Sequence, residues 1–206
     1  MKQIPEDGYN LGFATDRISI HRYNQQGYLL SDGNGQLYRI IGANLMNSLA
    51  PAEQDYILAI ASNSTWVCFC SNTKMYIVPN AKDLDPTELR TILEIQNKEF
   101  IAAMDFLNDT QLLCGTVSGH IFKYDVESKE RTDLTIALDE EQIMSIDAHS
   151  NTEVVLLNTA TTAYLLNAKL DNVLFKQLVN HQFKNSSDQS QISCLFNQYL
   201  LMPCNN

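Results

Sequence analysis

Phe100-Ile-Ala-Ala-Met-Asp-Phe-Leu-Asn-Asp-Thr-Gln-Leu-Leu-Cys-Gly-Thr-Val-Ser-Gly-His-Ile-Phe-Lys-Tyr-Asp-Val126 is the stretch from which the fold follows. Its three apolar runs, Ile101–Leu107, Gln111–Thr116 and His120–Val126, are separated by Asn108-Asp109 and Ser118-Gly119. Each run is rich in aliphatic and aromatic residues and too short for a stable helix. Asn and Asp tolerate the left-handed backbone of a tight turn, and Gly reaches it without strain. Three strands joined by tight turns form an antiparallel meander.

The same layout recurs on both sides. Upstream it reads Arg17–Tyr23, a turn at Asn24–Gly27, Tyr28–Leu30, a turn at Asp32–Gly35, then Gln36–Ile41. A second copy runs through Asp55–Ile60, Trp66–Cys70 and Lys74–Val78, with Leu89–Ile95 as an outer strand. Downstream of the quoted stretch, Glu127–Asp133 reads as a charged loop and Leu134–Leu138 as the outer strand. A fourth copy follows in Gln142–Asp147, Glu153–Leu157 and Ala163–Leu166, with Val173–Val179 outermost; Thr stands where its second turn would carry Gly. Gln191–Phe196 and Tyr199–Met202 begin a fifth. Tyr38, Tyr76, Phe122 and Tyr164 fall at one place in successive copies, 38, 46 and 42 residues apart. Blades of roughly 40 to 45 residues have that period, whereas a β-sandwich has no reason to repeat at it.

Gly119 in the second turn and Tyr124-Asp125 at the strand end resemble the blade marks of WD40-type β-propellers, with Tyr in place of the usual Trp. The resemblance implies an all-β propeller of about four blades, 17–50, 55–95, 100–139 and 141–182, plus part of a fifth at 190–206, in one domain spanning 1–206. It also implies that Tyr76, Phe122 and the single Trp66 are buried between blades. In the family, an aromatic-Asp-x-Arg ending accompanies docking onto ubiquitin-ligase adaptors. Here Tyr124-Asp125-Val126-Glu127 has Glu at the last place, which argues against that role.

Charge and composition narrow the function. The 206 residues carry a net charge of −10, which repels phosphate backbones, so no nucleic-acid partner is expected. No apolar run approaches the roughly 20 residues of a membrane span, and Met1–Gly8 lacks the apolar core of a signal peptide. Cys68, Cys70, Cys114, Cys194 and Cys204 lie mostly within apolar runs, without Cys-x-x-Cys spacing, and read as buried thiols of a reducing compartment, cytoplasmic or nuclear. No elbow motif, phosphate loop or helical His pair is present, so neither catalysis nor a cofactor is expected.

The pattern therefore points to a protein–protein interaction scaffold that displays its loops rigidly. The contact candidates are Asp83 and Asp85, the run Glu127, Lys129 and Arg131, and the acidic run Asp139, Glu140 and Glu141. The competing reading is a metal-binding or hydrolytic propeller built on Asp105 and Asp147, which sit at matching ends of two first strands. Their structural alternative is to accept backbone hydrogen bonds.

Four copies and the start of a fifth fall short of the seven or so blades usual in the family, so an open or partial ring is expected. It would belong to a longer polypeptide, be completed by another chain, or close through Gly8–Phe13. Open edges invite association, so sedimentation of this chain alone should show self-association; a compact monomer with one cooperative melt would contradict it.

Overall fold

A computed structural model describes residues 2–3, 19–24, 27–31, 35–41, 44–49, 56–81, 84–96, 99–136, 138, 141–148, 154–167, 169–178, 194–196 and 199–201. Among these residues there is no α-helix, and nearly all ordered backbone is β. The chain divides into two compact units, Met1–Ile101 and Ala102–Asn206.

The first sheet contains β1 (Lys2–Gln3), β2 (Ser19–Asn24), β3 (Gly27–Ser31), β4 (Leu37–Ile41) and β5 (Asn44–Leu49), in the order β1-β5-β4-β3-β2. The second contains β6 (Ala59–Ser62), β7 (Trp66–Cys70), β8 (Lys74–Pro79) and β9 (Arg90–Glu94), in chain order, with a 3₁₀ turn at Pro86–Glu88. The third is β10 (Ile101–Phe106), β11 (Gln111–Thr116), β12 (Ile121–Asp125) and β13 (Arg131–Asp133). The fourth is β14 (Ile143–Ala148), β15 (Val154–Thr159), β16 (Thr162–Asn167) and β17 (Val173–Leu178). A hairpin of β18 (Cys194–Phe196) and β19 (Tyr199–Leu201) follows. Every strand pairing is an antiparallel meander connection except β1, which pairs on the outer side of β5. The expected closing strand Gly8–Phe13 lies outside the described residues.

Register confirms the repeat. Tyr38 faces Leu30, Tyr76 faces Phe69, Phe122 faces Cys114 and Tyr164 faces Leu157 across the same pair of strands in four sheets. Because strand faces alternate, this shared register fixes which residues of each sheet look forward and which look back. In the first unit, Leu29, Leu37 and Leu49 of the first sheet pack with Ile60, Val67, Phe69, Tyr76 and Val78 of the second. In the second unit, Leu113 and Ile121 of the third sheet pack with Ile146, Val155, Leu157, Tyr164 and Leu166 of the fourth. The two clusters use matching positions, and each buried Leu, Ile or Val contributes about 1.5–3 kcal/mol relative to exposure. Phe69 and Tyr76 also stack, with ring centroids 5.2 Å apart.

Tyr76 and Phe122 are buried as the repeat requires, at 5% and 1% exposure. Trp66 is only half-buried, contrary to expectation: it opens β7 at the strand end, and the Arg90 guanidinium lies 5.3 Å from its ring centroid. Asn44–Leu49, for which the sequence suggested no strand, forms β5, and one outer strand differs from expectation. The outer strand of the third sheet is Arg131–Asp133, not Leu134–Leu138, because the turn after β12 closes early. Lys129 donates its N–H to the Asp125 carbonyl at 2.9 Å and takes a left-handed φ of 61°, so pairing resumes at Arg131 opposite Tyr124. Gly35 and Gly119 have φ of 76° and 86°, as their second-turn positions demand.

Buried cysteines follow the sequence reading where described. Cys68, Cys70 and Cys114 are free and buried, and desolvation pushes the Cys70 thiol up to about 12, partly offset by a backbone hydrogen bond at Ala59.

A close inter-sheet approach lies in the second unit. A Cβ added to Gly115 would stand 2.5 Å from Cγ2 and 2.7 Å from Cβ of Ile143, itself fully buried. Ile is stiff at χ1 and cannot swing aside. Gly115→Ala should destabilise by roughly 1–3 kcal/mol, and Ile143→Ala by about 2–5 kcal/mol. In urea denaturation the double variant should lose less than the two single losses combined, because removing Cγ1 and Cγ2 of Ile143 takes away two of the three close contacts and leaves only Cβ to shift. Strict additivity would show that the two positions do not meet.

Candidate functional site

Two of the loop residues singled out by sequence, Asp85 and Glu141, accept hydrogen bonds that brace turns. Asp85 precedes the 3₁₀ turn and accepts hydrogen bonds from Thr87 N–H at 2.8 Å and Thr87 Oγ1 at 2.7 Å. Those bonds, the side-chain one foremost, hold its carboxyl below the usual range. Asp83, Asp139 and Glu140 lie outside the described residues. Glu141 accepts from Thr159 Oγ1 at 2.7 Å, Thr161 N–H at 3.1 Å and Thr161 Oγ1 at 2.6 Å. It braces the β15–β16 turn where Gly is missing.

In the third sheet the organising residue is Asp125, not its neighbour Glu127. Asp125 Oδ1 accepts the N–H groups of Ser128 at 2.9 Å and Glu127 at 3.0 Å, while Oδ2 accepts from Thr110 Oγ1 at 3.1 Å. One carboxylate thus ties the β12–β13 turn to the β10–β11 turn, and the Ser128 backbone bond leads in holding its pKa down. Tyr124-Asp125 was visible in the sequence as a blade mark; its role as a double turn anchor needed the register. The same device recurs at Asn108, which accepts from Thr110 and Gln111 N–H at 3.0 and 2.9 Å, and at Asn63, which accepts from Thr65 and Trp66 N–H at 2.9 and 2.8 Å.

Glu127 and Lys129 lie on an exposed turn that leads directly into Arg131, the first residue of β13. Arg131 reaches Asp133 Oδ1 with Nε and a terminal nitrogen, both at 2.8 Å, and lies 4.0 Å from the Phe122 ring centroid. Beside it runs a groove of about 410 Å³ lined by Gly119, His120, Ile121, Arg131, Asp133, Leu134, Ile136 and Leu138. Leu134, Ile136 and Leu138, expected as a strand, instead form a strap that half-buries its alternate side chains against the core of the second unit. The sequence marked them as an outer strand and gave no sign that they would wall a groove.

The second exposed feature is β17. Leu174, Phe175 and Leu178 are 51%, 46% and 69% exposed on the outermost strand of the fourth sheet.

Asp105 and Asp147 are brought near one another. Asp105 Oδ2 accepts the Ala148 N–H at 2.8 Å, and Oδ1 accepts its own neighbour Phe106 N–H at 2.8 Å. The residue keeps intermediate surface exposure, but its carboxyl is enclosed by protein. Desolvation chiefly, with a smaller push from the Asp147 charge, raises it to about 7 against the pull of those two backbone bonds. Among the described residues no group of three or more His, Cys, Asp or Glu could hold a metal ion.

Sequence comparison finds neither a matching family model nor a curated relative. Structure comparison finds many. The WD40 domain of Neurospora crassa Pan2 superposes with a TM-score of 0.60 at 12% identity, over 77% of this chain and 48% of that one. A virginiamycin B lyase from Staphylococcus aureus gives 0.60 at 13% identity, over 79% and 55%. The computationally designed protein Ika8 gives 0.56 at 12% identity, over 83% and 50%. The fold is a β-propeller fold. The propeller chain described here spans about half the length of the structures it matches, and at such identities the likeness carries the fold alone. No helix among the described residues is long and apolar enough to cross a membrane.

Asp105 makes a pH prediction. A carboxyl whose pKa is near 7 folded and near 3.8 unfolded binds more protons in the native state between those values. Stability from this group is therefore complete below about pH 4 and lost as pH rises to about 7, by an amount on the order of a few kcal/mol. Asp105→Asn keeps an acceptor for Ala148 and cannot ionise. The urea midpoint of the wild type should fall relative to the variant across that window; parallel curves would place Asp105 in contact with water.

Proposed function

We propose that this chain is a non-catalytic interaction scaffold, a propeller module that holds loops and edges in fixed positions for partner proteins within an intracellular complex. The observation that carries this reading is the way polar side chains are committed to the turns. Asp125, Glu141, Asn63, Asn108 and Asp85 each clamp backbone or hydroxyl donors of their own loops. A loop already fixed loses little entropy on binding, which is the physical advantage of a display scaffold. The exposed apolar side chains of β17 support the same reading, since large apolar groups on an edge strand favour contact with another protein. The partner is a protein, and a further propeller segment supplied by another chain is one form it takes.

A second reading, a metal-binding or hydrolytic propeller using Asp105 and Asp147, draws on the raised pKa of Asp105, a common property of catalytic carboxyls. Against it, both Asp105 oxygens already accept backbone hydrogen bonds. One pair of measurements separates the two. Pull-down of the intact protein with mass-spectrometric identification should return reproducible protein partners. Titration with magnesium, calcium, manganese or zinc should leave the melting temperature unchanged, because a ligand bound by the native state alone would raise it. A metal-dependent rise abolished by Asp105→Asn would reverse the order of the readings.

A further inference from the structure

The groove beside β13 combines a one-sided apolar floor with an acidic chain segment. Leu134, Ile136 and Leu138 present the halves of their side chains that the core does not cover, and Ile121 completes the floor. At about 410 Å³ the groove has the size of a site that takes one or two aliphatic side chains. β13 is the last strand of its sheet and only three residues long, so an extended segment can lie along it and add main-chain bonds to side-chain burial. The walls decide what the segment carries. Residues 125–141 contain seven acidic and two basic residues, a balance of −5, which is half of the chain's −10. Arg131, the basic group in the wall, is already matched by Asp133 at 2.8 Å. Glu127 and Glu130 stand exposed on the adjoining turn, and Asp139 follows Leu138 directly in sequence.

We propose that this groove docks an extended peptide of a partner protein in which an aliphatic side chain is flanked by lysines or arginines. The aliphatic group fills the floor between Ile121 and Ile136, and the flanking cations meet the acidic turn. An acidic peptide would face like charge on approach, which costs both rate and affinity. This rests on the scaffold reading and deepens it by naming the site and the chemistry of the partner.

The test is selection of random peptides displayed on phage against the intact chain, followed by fluorescence-anisotropy titration of the recovered peptides. The recovered sequences should place Lys or Arg around Leu, Ile or Val. Ile136→Lys, which puts a charge on the floor, should weaken them by roughly tenfold or more, equivalent to about 1.4 kcal/mol. The double charge reversal Glu127→Lys with Glu130→Lys lies on exposed positions, leaves the fold intact, and should weaken binding while flattening its salt dependence. Recovery of no peptide, recovery of acidic peptides, or binding indifferent to the charge reversal would overturn the proposal. A protein partner still captured in pull-down by both variants would overturn the groove while leaving the scaffold reading standing; capture of none by the wild type would overturn the scaffold reading itself.

Discussion

Gly115 lies directly beneath Ile143, and the second unit depends on that approach. With no side chain at this point of β11, the first strand of the next sheet can lie against the middle strand of the preceding one. The register then carries Leu113 and Ile121 onto Ile146, Leu157 and Tyr164, which closes the core. By the shared register, the matching positions in the first two sheets are Ser31 and Cys70, both small and fully buried. In the fourth sheet the position is Asn158, whose side chain donates to Ser145 Oγ at 2.8 Å within its own sheet. Three of the four sheets keep that place in the second strand small, and they do so with three different residues, Ser31, Cys70 and Gly115.

The inner three strands of each blade were legible in sequence because they are buried on two sides and bounded by turn residues whose backbone preferences are strong. Gly35, Gly119 and the Asn108-Asp109 turn behave as their chemistry requires. Of the outer strands, Leu89–Ile95 and Val173–Val179 were legible and form β9 and β17, whereas that of the third sheet was not. An edge strand is paired on one side and half wet, so alternation fades, as in the exposed Arg131–Asp133. Leu134–Leu138 has the better strand pattern and loses the pairing, because the Asp125–Lys129 turn fixes the register before it arrives. Local propensity proposes; turn closure decides.

The candidate site was legible only in outline, for a related reason. Surface carboxylates look alike in sequence whether they face a partner or their own backbone. Glu141 and Asp85, read from sequence as contact candidates, each also accept hydrogen bonds from nearby turn donors. Asp105 and Asp147 shared a repeat position, and the structure does bring them together, but with Asp105 joined to the Ala148 amide across two sheets. What sequence lacked in each case was the identity of the donor, which depends on a strand that is distant in the chain.

The outer edges show how one architecture is kept from pairing indiscriminately, and where that protection lapses. In three sheets a cation from the outer strand lies over an aromatic ring of an inner one: Arg90 at 5.3 Å from Trp66, Arg131 at 4.0 Å from Phe122, and Lys176 at 5.3 Å from Tyr164. Each such contact contributes about 0.5–1 kcal/mol where exposed, and each also sets a charge on the strand most able to recruit another. β9 and β13 add brevity and further charge, with Glu94 on one and Asp133 on the other. β17 keeps Lys176 but is six residues long and exposes Leu174, Phe175 and Leu178. A single lysine does not offset three apolar side chains on an open edge, and selection against aggregation would remove them unless they are covered in use. Among the described outer strands, β17 is therefore the least protected against pairing with another surface.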